Sequence, residues 1–181
     1  MKKLVKKYWQ IIGIAFVIVV LDQWTKGLVR ANIPFGGTWL PESLQWLHPY
    51  ARIVHWSNTG AAFGVFKDGS MVFTVLAFIV IGLILYYYPQ VEKVNWPLRI
   101  AMSMQLGGAI GNLIDRLTIG GHVTDFISVG TFAVFNIADA SISVGAAILF
   151  VGIWIMEKNE KKNKKSNEES TSVTTNEVTN E

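Results

Sequence analysis

The chain has 181 residues, of which 51% are hydrophobic, and a formal net charge of +3. It contains no cysteine, which excludes disulfides, thiolate metal sites, cysteine nucleophiles and lipidation of this chain on cysteine. The basic balance does not point to nucleic acid, because the lysines crowd the chain ends beside long uncharged apolar runs, an arrangement that fits a membrane.

The first apolar run, from Tyr8 to Leu21, follows Lys2, Lys3, Lys6 and Lys7 and alone would pass for a secretory signal peptide. Instead of a small-residue cleavage site comes Leu21-Asp22-Gln23-Trp24-Thr25-Lys26, and three more apolar runs follow, so a retained span over 8–24 is predicted. The stretch Ala51-Arg52-Ile53-Val54-His55-Trp56-Ser57 alternates and is rich in β-branched and aromatic residues, which predicts a short strand. Trp39, Trp46 and Trp56 suit a membrane interface.

A second span, 71–88, is uncharged and long enough to cross about 30 Å of hydrocarbon at about 1.5 Å per residue. A third, 98–117, carries Gln105, Asn112, Asp115 and Arg116 in its second half, and a fourth covers 133–156. The fold class predicted is an all-α membrane protein, with four transmembrane helices in one domain over 1–156. The remainder, 157–181, is rich in Lys, Asn, Glu, Ser and Thr; it has too few apolar residues to fold and is predicted to be a disordered cytoplasmic tail, its basic part near anionic lipid. The amino-terminal lysines, Lys93 and Arg99, and the cluster from Lys158 to Lys165 put both termini in the cytoplasm by the positive-inside rule.

An ionisable residue within a span costs at least ~2.5 kcal/mol on insertion scales, so each needs a partner or a purpose. Counting about 1.5 Å per helical residue, Asp22 lies about 22 Å beyond Lys7, Asp115 about 24 Å beyond Arg99 and Asp139 about 27 Å from Glu157. Three helices thus carry a carboxylate at nearly one depth, the outer edge of the hydrocarbon, and Asp125 in the following loop falls at the same level. Gln105, Gly108, Asn112 and Asp115 recur at helical spacing, as do Asn136, Asp139 and Ser143, so each helix offers a polar stripe to the bundle.

Two aspartates within reach of one water share a proton, and such a pair activates water against a peptide carbonyl. The candidates are Asp22, Asp115, Asp125 and Asp139, and spacing does not choose among them. Asp115 with Arg116, and Asp22 with Lys26 one turn on, read as orienting or ion-paired groups. Asp125 and Asp139 read equally as chemistry or as loop and helix capping. His48, His55 and His122 show no metal-binding spacing, and no metal site is predicted. Gly107 and Gly111 form a small-xxx-small pattern suited to close helix packing.

Five blocks in order, Asp22-Gln23-Trp24-Thr25-Lys26, Asn58-Thr59-Gly60-Ala61-Ala62-Phe63-Gly64, Gly107 to Arg116, Val123-Thr124-Asp125-Phe126 and Phe135-Asn136-Ile137-Ala138-Asp139, closely resemble the lipoprotein signal peptidase (type II signal peptidase) family. The resemblance implies a four-helix membrane fold with a small extracytoplasmic sheet and a catalytic pair at Asp125 and Asp139. It further implies cleavage of diacylglyceryl-modified bacterial prolipoproteins on the amino side of the lipidated cysteine, without metal or cofactor. Positions matching Asp22, Lys26, Asn58, Gly108, Asn112, Arg116, Asn136 and Ala138 belong to the family's substrate-facing set, and Gly60 and Asp115 join them as orienting candidates. A multi-pass monomer in the bacterial cytoplasmic membrane, in contact with its lipids, is expected. The rivals are a small ion-coupled carrier, since intramembrane carboxylates also mark ion pathways, and a non-enzymatic scaffold. No internal repeat is visible to favour a carrier.

Overall fold

The computed structural model describes residues 2–59, 69–91 and 95–178. In chain order they form α1 (Lys2–Asn32), β1 (Thr38–Trp39), a 3-10 turn (Glu42–Leu47), β2 (Ala51–Asn58), α2 (Ser70–Tyr87), a second 3-10 turn (Tyr88–Gln90), α3 (Trp96–Thr118), β3 (Val123–Val129) and α4 (Ile137–Val178). Gly60 and Lys93 lie outside the described residues.

Among the described residues three helical stretches are long and apolar enough to cross a membrane, Tyr8–Asn32, Ser70–Gln90 and Ile137–Lys158. Of the four predicted spans, α3 is the one that falls short, and its surroundings explain why it tolerates a polar stripe. It packs against α1, α2 and α4, and Arg99, Ser103, Asn112 and Asp115 are buried there. Protein, not lipid, therefore solvates its polar groups. The opposite case is α2, apolar along its length with only Ile84 buried; a helix apolar on every exposed side has lipid as its solvent.

Glycines let the helices approach. A Cβ on Gly107 would stand 2.8 Å from Ile18 on α1, one on Gly108 would meet the Ala138 carbonyl oxygen on α4, and one on Gly145 would lie 2.9 Å from the Ala101 carbonyl oxygen on α3. The predicted packing role of Gly107 is thus seen directly. At the end of the bundle away from the strands, Ile11, Ala15, Ile84, Tyr88, Met102 and Leu106 form a core. Arg99, near the start of the predicted third span, sits on α3 with its guanidinium 4.1 Å from the Tyr88 ring centroid.

The strands form one antiparallel sheet in the order β1-β2-β3. The predicted strand is present as β2, whereas Asp125, predicted in a loop, lies on β3. Burial on both faces hides the alternation that would have marked β3: Val123, Thr124, Asp125 and Phe126 are all buried. Val29, Ile33 and Phe126 fasten the sheet to the end of α1, which runs to Asn32, well past its predicted limit.

The segment predicted to be a disordered tail instead continues α4 to Val178. Neither Gly nor Pro interrupts residues 157–178, and Lys161 Nζ lies 2.6 Å from Glu157 Oε1 one turn back. That pair lies at the helical i, i+4 spacing.

Candidate active site

Two chain reversals bring Asp125 and Asp139 together. At the end of α3 the Gly121 N–H donates to the Arg116 carbonyl at 3.0 Å, with Gly120 at φ 62 and Gly121 at φ 88. This is a glycine-closed helix end, and it turns the chain into β3. There Asp125 pairs in register with Trp56 on β2. The chain then enters α4 through a reciprocal cap: the Asp139 N–H donates to Asn136 Oδ1 at 2.9 Å, and the Asn136 N–H donates to Asp139 Oδ2 at 3.2 Å. The Asn-x-x-Asp spacing is a capping box, which fixes the Asp139 carboxylate at the first turn of the helix.

Asparagines join the two carboxylates. Asn136 Nδ2 donates to Asp125 Oδ1 at 2.7 Å and to Asn112 Oδ1 at 3.1 Å. Asn112 Nδ2 in turn donates to Asp139 Oδ1 at 2.7 Å, and Asn58 Nδ2 reaches Asp125 Oδ2 at 3.1 Å. Because the cap already claims Asn136 Oδ1, the amide is oriented with its NH₂ toward Asp125. Asp125 is 2% exposed, whereas Asp139 is only partly buried. Burial first, and the neighbouring Asp139 charge second, push the Asp125 carboxyl up to about 7, against the downward pull of its hydrogen bonds from Asn58 and Asn136 and the more distant charge of Lys26.

Beneath this pair lies a sealed charged layer. Lys26, fully buried, places Nζ 2.8 Å from Asp22 Oδ2, 3.5 Å from Asp115 Oδ2 and 3.0 Å from Asn112 Oδ1. Asp22 Oδ1 accepts the Ala138 N–H at 2.9 Å, a second free donor at the start of α4. Asp115 Oδ2 accepts the Thr124 N–H at 2.9 Å, and Oδ1 lies 3.5 Å from Arg30 Nη1. The predicted pairing of Asp22 with Lys26 is present. Asp115, however, pairs with Lys26 and Arg30 rather than with Arg116, because adjacent residues on a helix point to different faces.

Arg116 faces the other way, into a cavity of about 600 Å³ shared with Asn58, Asn112, Asp125 and Asp139. Its Nε is buried without a hydrogen-bond partner, and its guanidinium lies 5.5 Å from the Phe73 ring centroid. Most of the remaining wall is apolar, including Phe73, Leu76 and Val80 on α2 and Phe132 and Phe135 before α4. Gly108 and Ala138 instead meet each other at the contact of α3 with α4, and Ala138 is fully buried. Sequence reasoning also left out Gln23, whose Nε2 donates to the Gly111 carbonyl and to Asp115 Oδ1, both at 3.0 Å. Its position next to Asp22, within the first of the five blocks, was the available signal. Among the described residues no group of His, Asp or Glu is arranged to hold a metal ion; His55 Nδ1 lies 2.7 Å from the Ile33 carbonyl oxygen and His122 Nδ1 lies 3.0 Å from Ser57 Oγ.

Residues 14–155 match the family model described as signal peptidase (SPase) II. A lipoprotein signal peptidase of Shouchella clausii is 40% identical over 149 residues, covering 82% of this chain and 95% of that protein. One of Halalkalibacterium halodurans is 36% identical over 152 residues, covering 82% and 94%. Among solved structures, one described as a bacterial membrane enzyme superposes with a TM-score of 0.74 at 27% identity, covering 82% of this chain and 90% of the other. These matches lend no support to the carrier alternative.

Proposed function

The chain belongs to the signal peptidase II family and removes signal peptides from prolipoproteins, and from that premise we propose that it acts as an intramembrane aspartic endopeptidase whose catalytic pair is Asp125 and Asp139. The observation that carries the reading is the linkage of two carboxylates through Asn136 and Asn112 at one end of a cavity with otherwise mainly apolar walls.

The chemistry follows from the difference between the two groups. Asp125, enclosed and pushed up to about 7, holds the shared proton at neutral pH. Asp139, partly open to the cavity, takes a proton from water as the water oxygen attacks the scissile carbonyl carbon. Asp125 gives its proton to the carbonyl oxygen, so the intermediate is a neutral diol. Collapse breaks the C–N bond, a proton passes from Asp139 to the leaving amine, and the diol proton returns to Asp125. Asn112 and Asn136 hold the carboxylates in place, and the Arg116 guanidinium, which lines the cavity, is placed to donate to the substrate. No metal or cofactor enters a step.

The substrate is a diacylglyceryl-modified prolipoprotein cut on the amino side of its lipidated cysteine. Its acyl chains stay in the bilayer while the peptide reaches the dyad through the apolar cavity. In this reading α3 is the fourth span, its polar stripe shielded by the other three helices, both termini are cytoplasmic, and the chain works as a monomer in the bacterial cytoplasmic membrane. The test is mass spectrometry of a lipobox peptide incubated with the purified chain in detergent, with and without diacylglyceryl on cysteine. Cutting before the cysteine of the lipidated peptide alone is expected; equal cutting of both peptides, or cutting elsewhere, contradicts the proposal.

A further inference from the structure

Two polar side chains in the cavity take no part in the chemistry above. Gln105 and Ser143 both line it, on α3 and α4 respectively. Ser141, close by on α4, returns its hydroxyl to the Ile137 carbonyl at 2.9 Å, and Ser103 does the same with Arg99 at 2.7 Å. Neither Gln105 nor Ser143 has a hydrogen-bond partner among the described residues. The Gln105 stem lies along Gly145, where an added Cβ would stand 3.1 Å from its Cγ. A residue with any side chain there would displace it.

Gln105 is half-buried, and an amide that faces a mainly apolar cavity at membrane depth gains most from a polar partner that enters the cavity. The depth indicates what that partner is. Gln105 is seven residues from Asn112 on α3, about 10 Å along the helix, and Ser143 is four residues from Asp139 on α4, about 6 Å. An extended peptide advances about 3.3 Å per residue. A chain whose scissile bond sits at the dyad therefore has the residues two or three before that bond at the level of Gln105 and Ser143. A signal segment that crosses the membrane as a helix must unwind near its cleavage point to expose the scissile bond. Unwinding frees backbone N–H and C=O groups that lipid cannot satisfy.

We infer that Gln105, with Ser143, forms a hydrogen-bonding subsite that receives the unwound backbone of the signal peptide two to three residues before the cleavage point. The inference rests on the peptidase reading above and adds a binding contact remote from the reacting atoms. The Gln105 amide offers both a donor and an acceptor, which matches a peptide group on both sides. Leu76, Ala77, Val80 and Ile142 line the same cavity and make its wall mainly apolar, where a hydrogen bond to peptide is worth more than in water.

The test uses the full chain in detergent with diacylglyceryl-modified lipobox peptides. One peptide is all-amide, and two others carry a single ester in place of the amide two or three residues before the cleavage point. Gln105→Leu is expected to raise KM about ten-fold with kcat within about two-fold, the loss of one hydrogen bond of about 1.4 kcal/mol. At one of the two positions the ester should raise KM for the wild type but not for Gln105→Leu. Ser143→Ala should give a smaller rise in KM. A purely structural Gln105 would lower the unfolding temperature on replacement, whereas the subsite predicts an equal or higher one for Gln105→Leu. Unchanged KM in Gln105→Leu, or ester effects that persist in it, overturns the subsite while the wild type still cleaves. Failure of the wild type to cleave the all-amide peptide overturns the peptidase reading and the subsite together.

Discussion

Replacing Lys26 with methionine tests whether the charged layer beneath the dyad is a closed electrostatic unit. The layer holds two carboxylates, Asp22 and Asp115, both fully buried, against Lys26, fully buried, and Arg30, which is 32% exposed on its side chain. Lys26→Met keeps the apolar stem but leaves two buried anions facing one partly exposed cation 3.5 Å from Asp115. Removing one partner of a buried pair costs about 3–5 kcal/mol. Adding Asp22→Asn restores the balance, because Asp115 with Arg30 remains, while an amide oxygen still accepts the Ala138 N–H. The double variant should therefore be less destabilised than the sum of the singles by at least about 2 kcal/mol. Reversible unfolding in mixed micelles, followed by tryptophan fluorescence, measures all four corners of the cycle. Additive effects, or a loss under about 1 kcal/mol for Lys26→Met alone, would refute the closed-layer argument.

The pH dependence follows from Asp125. Below about 7 the pair carries its proton, and above that the proton is lost, so kcat/KM should fall on an alkaline limb centred near neutrality; a profile flat to pH 9 contradicts this. The raised carboxyl also favours folding below its unfolded value of 3.8, a contribution lost as pH rises through about 7. Asp125→Asn should thus be inactive yet more stable than the wild type at pH 8, by at most about 4 kcal/mol less what misplaced hydrogen bonds cost, with the difference fading toward pH 4. An equal difference in unfolding temperature at pH 8 and pH 4 would remove the electrostatic explanation. Gly108→Ala puts a methyl against the Ala138 carbonyl, and Gly111→Ala puts one 2.7 Å from Asp22 Oδ2. Each should cost about 1–3 kcal/mol in the same unfolding assay. Gly82→Ala, which meets nothing within 4 Å, serves as the clash-free control and should be stabilised by up to about 1 kcal/mol.

Much of the architecture was legible because lipid imposes a simple code. Uncharged apolar runs of spanning length located α1, α2 and the membrane part of α4, and alternation located β2. Helical spacing grouped Gln105 with Asn112, and Asn136 with Asp139, correctly enough to predict polar stripes. What escaped depended on tertiary contacts. Asp115 stands beside Arg116 in sequence, but the turn of the helix sends one to Lys26 and the other into the cavity. The strand β3 carries buried residues on both faces, so its period is not written in its polarity. The role of Asn136 as both cap and bridge required the simultaneous presence of α3, β3 and the start of α4. The apolarity of α3 falls short because its solvent is protein, and no reading of one helix alone reveals that. For the segment after Glu157, composition weighed the scarcity of apolar residues, whereas the backbone continues as helix to Val178.

The central claim is that Asp125 and Asp139 together perform the cleavage, and the most direct measurement is kcat on a diacylglyceryl-modified lipobox peptide for the wild type, Asp125→Asn and Asp139→Asn. Each protein is first shown to be folded by its unfolding transition in detergent. Cleavage before the cysteine by the wild type, with kcat reduced at least about 100-fold in each variant, is the predicted result. A folded variant of either aspartate that keeps its rate within about ten-fold of the wild type would contradict the account and move the chemistry to another residue.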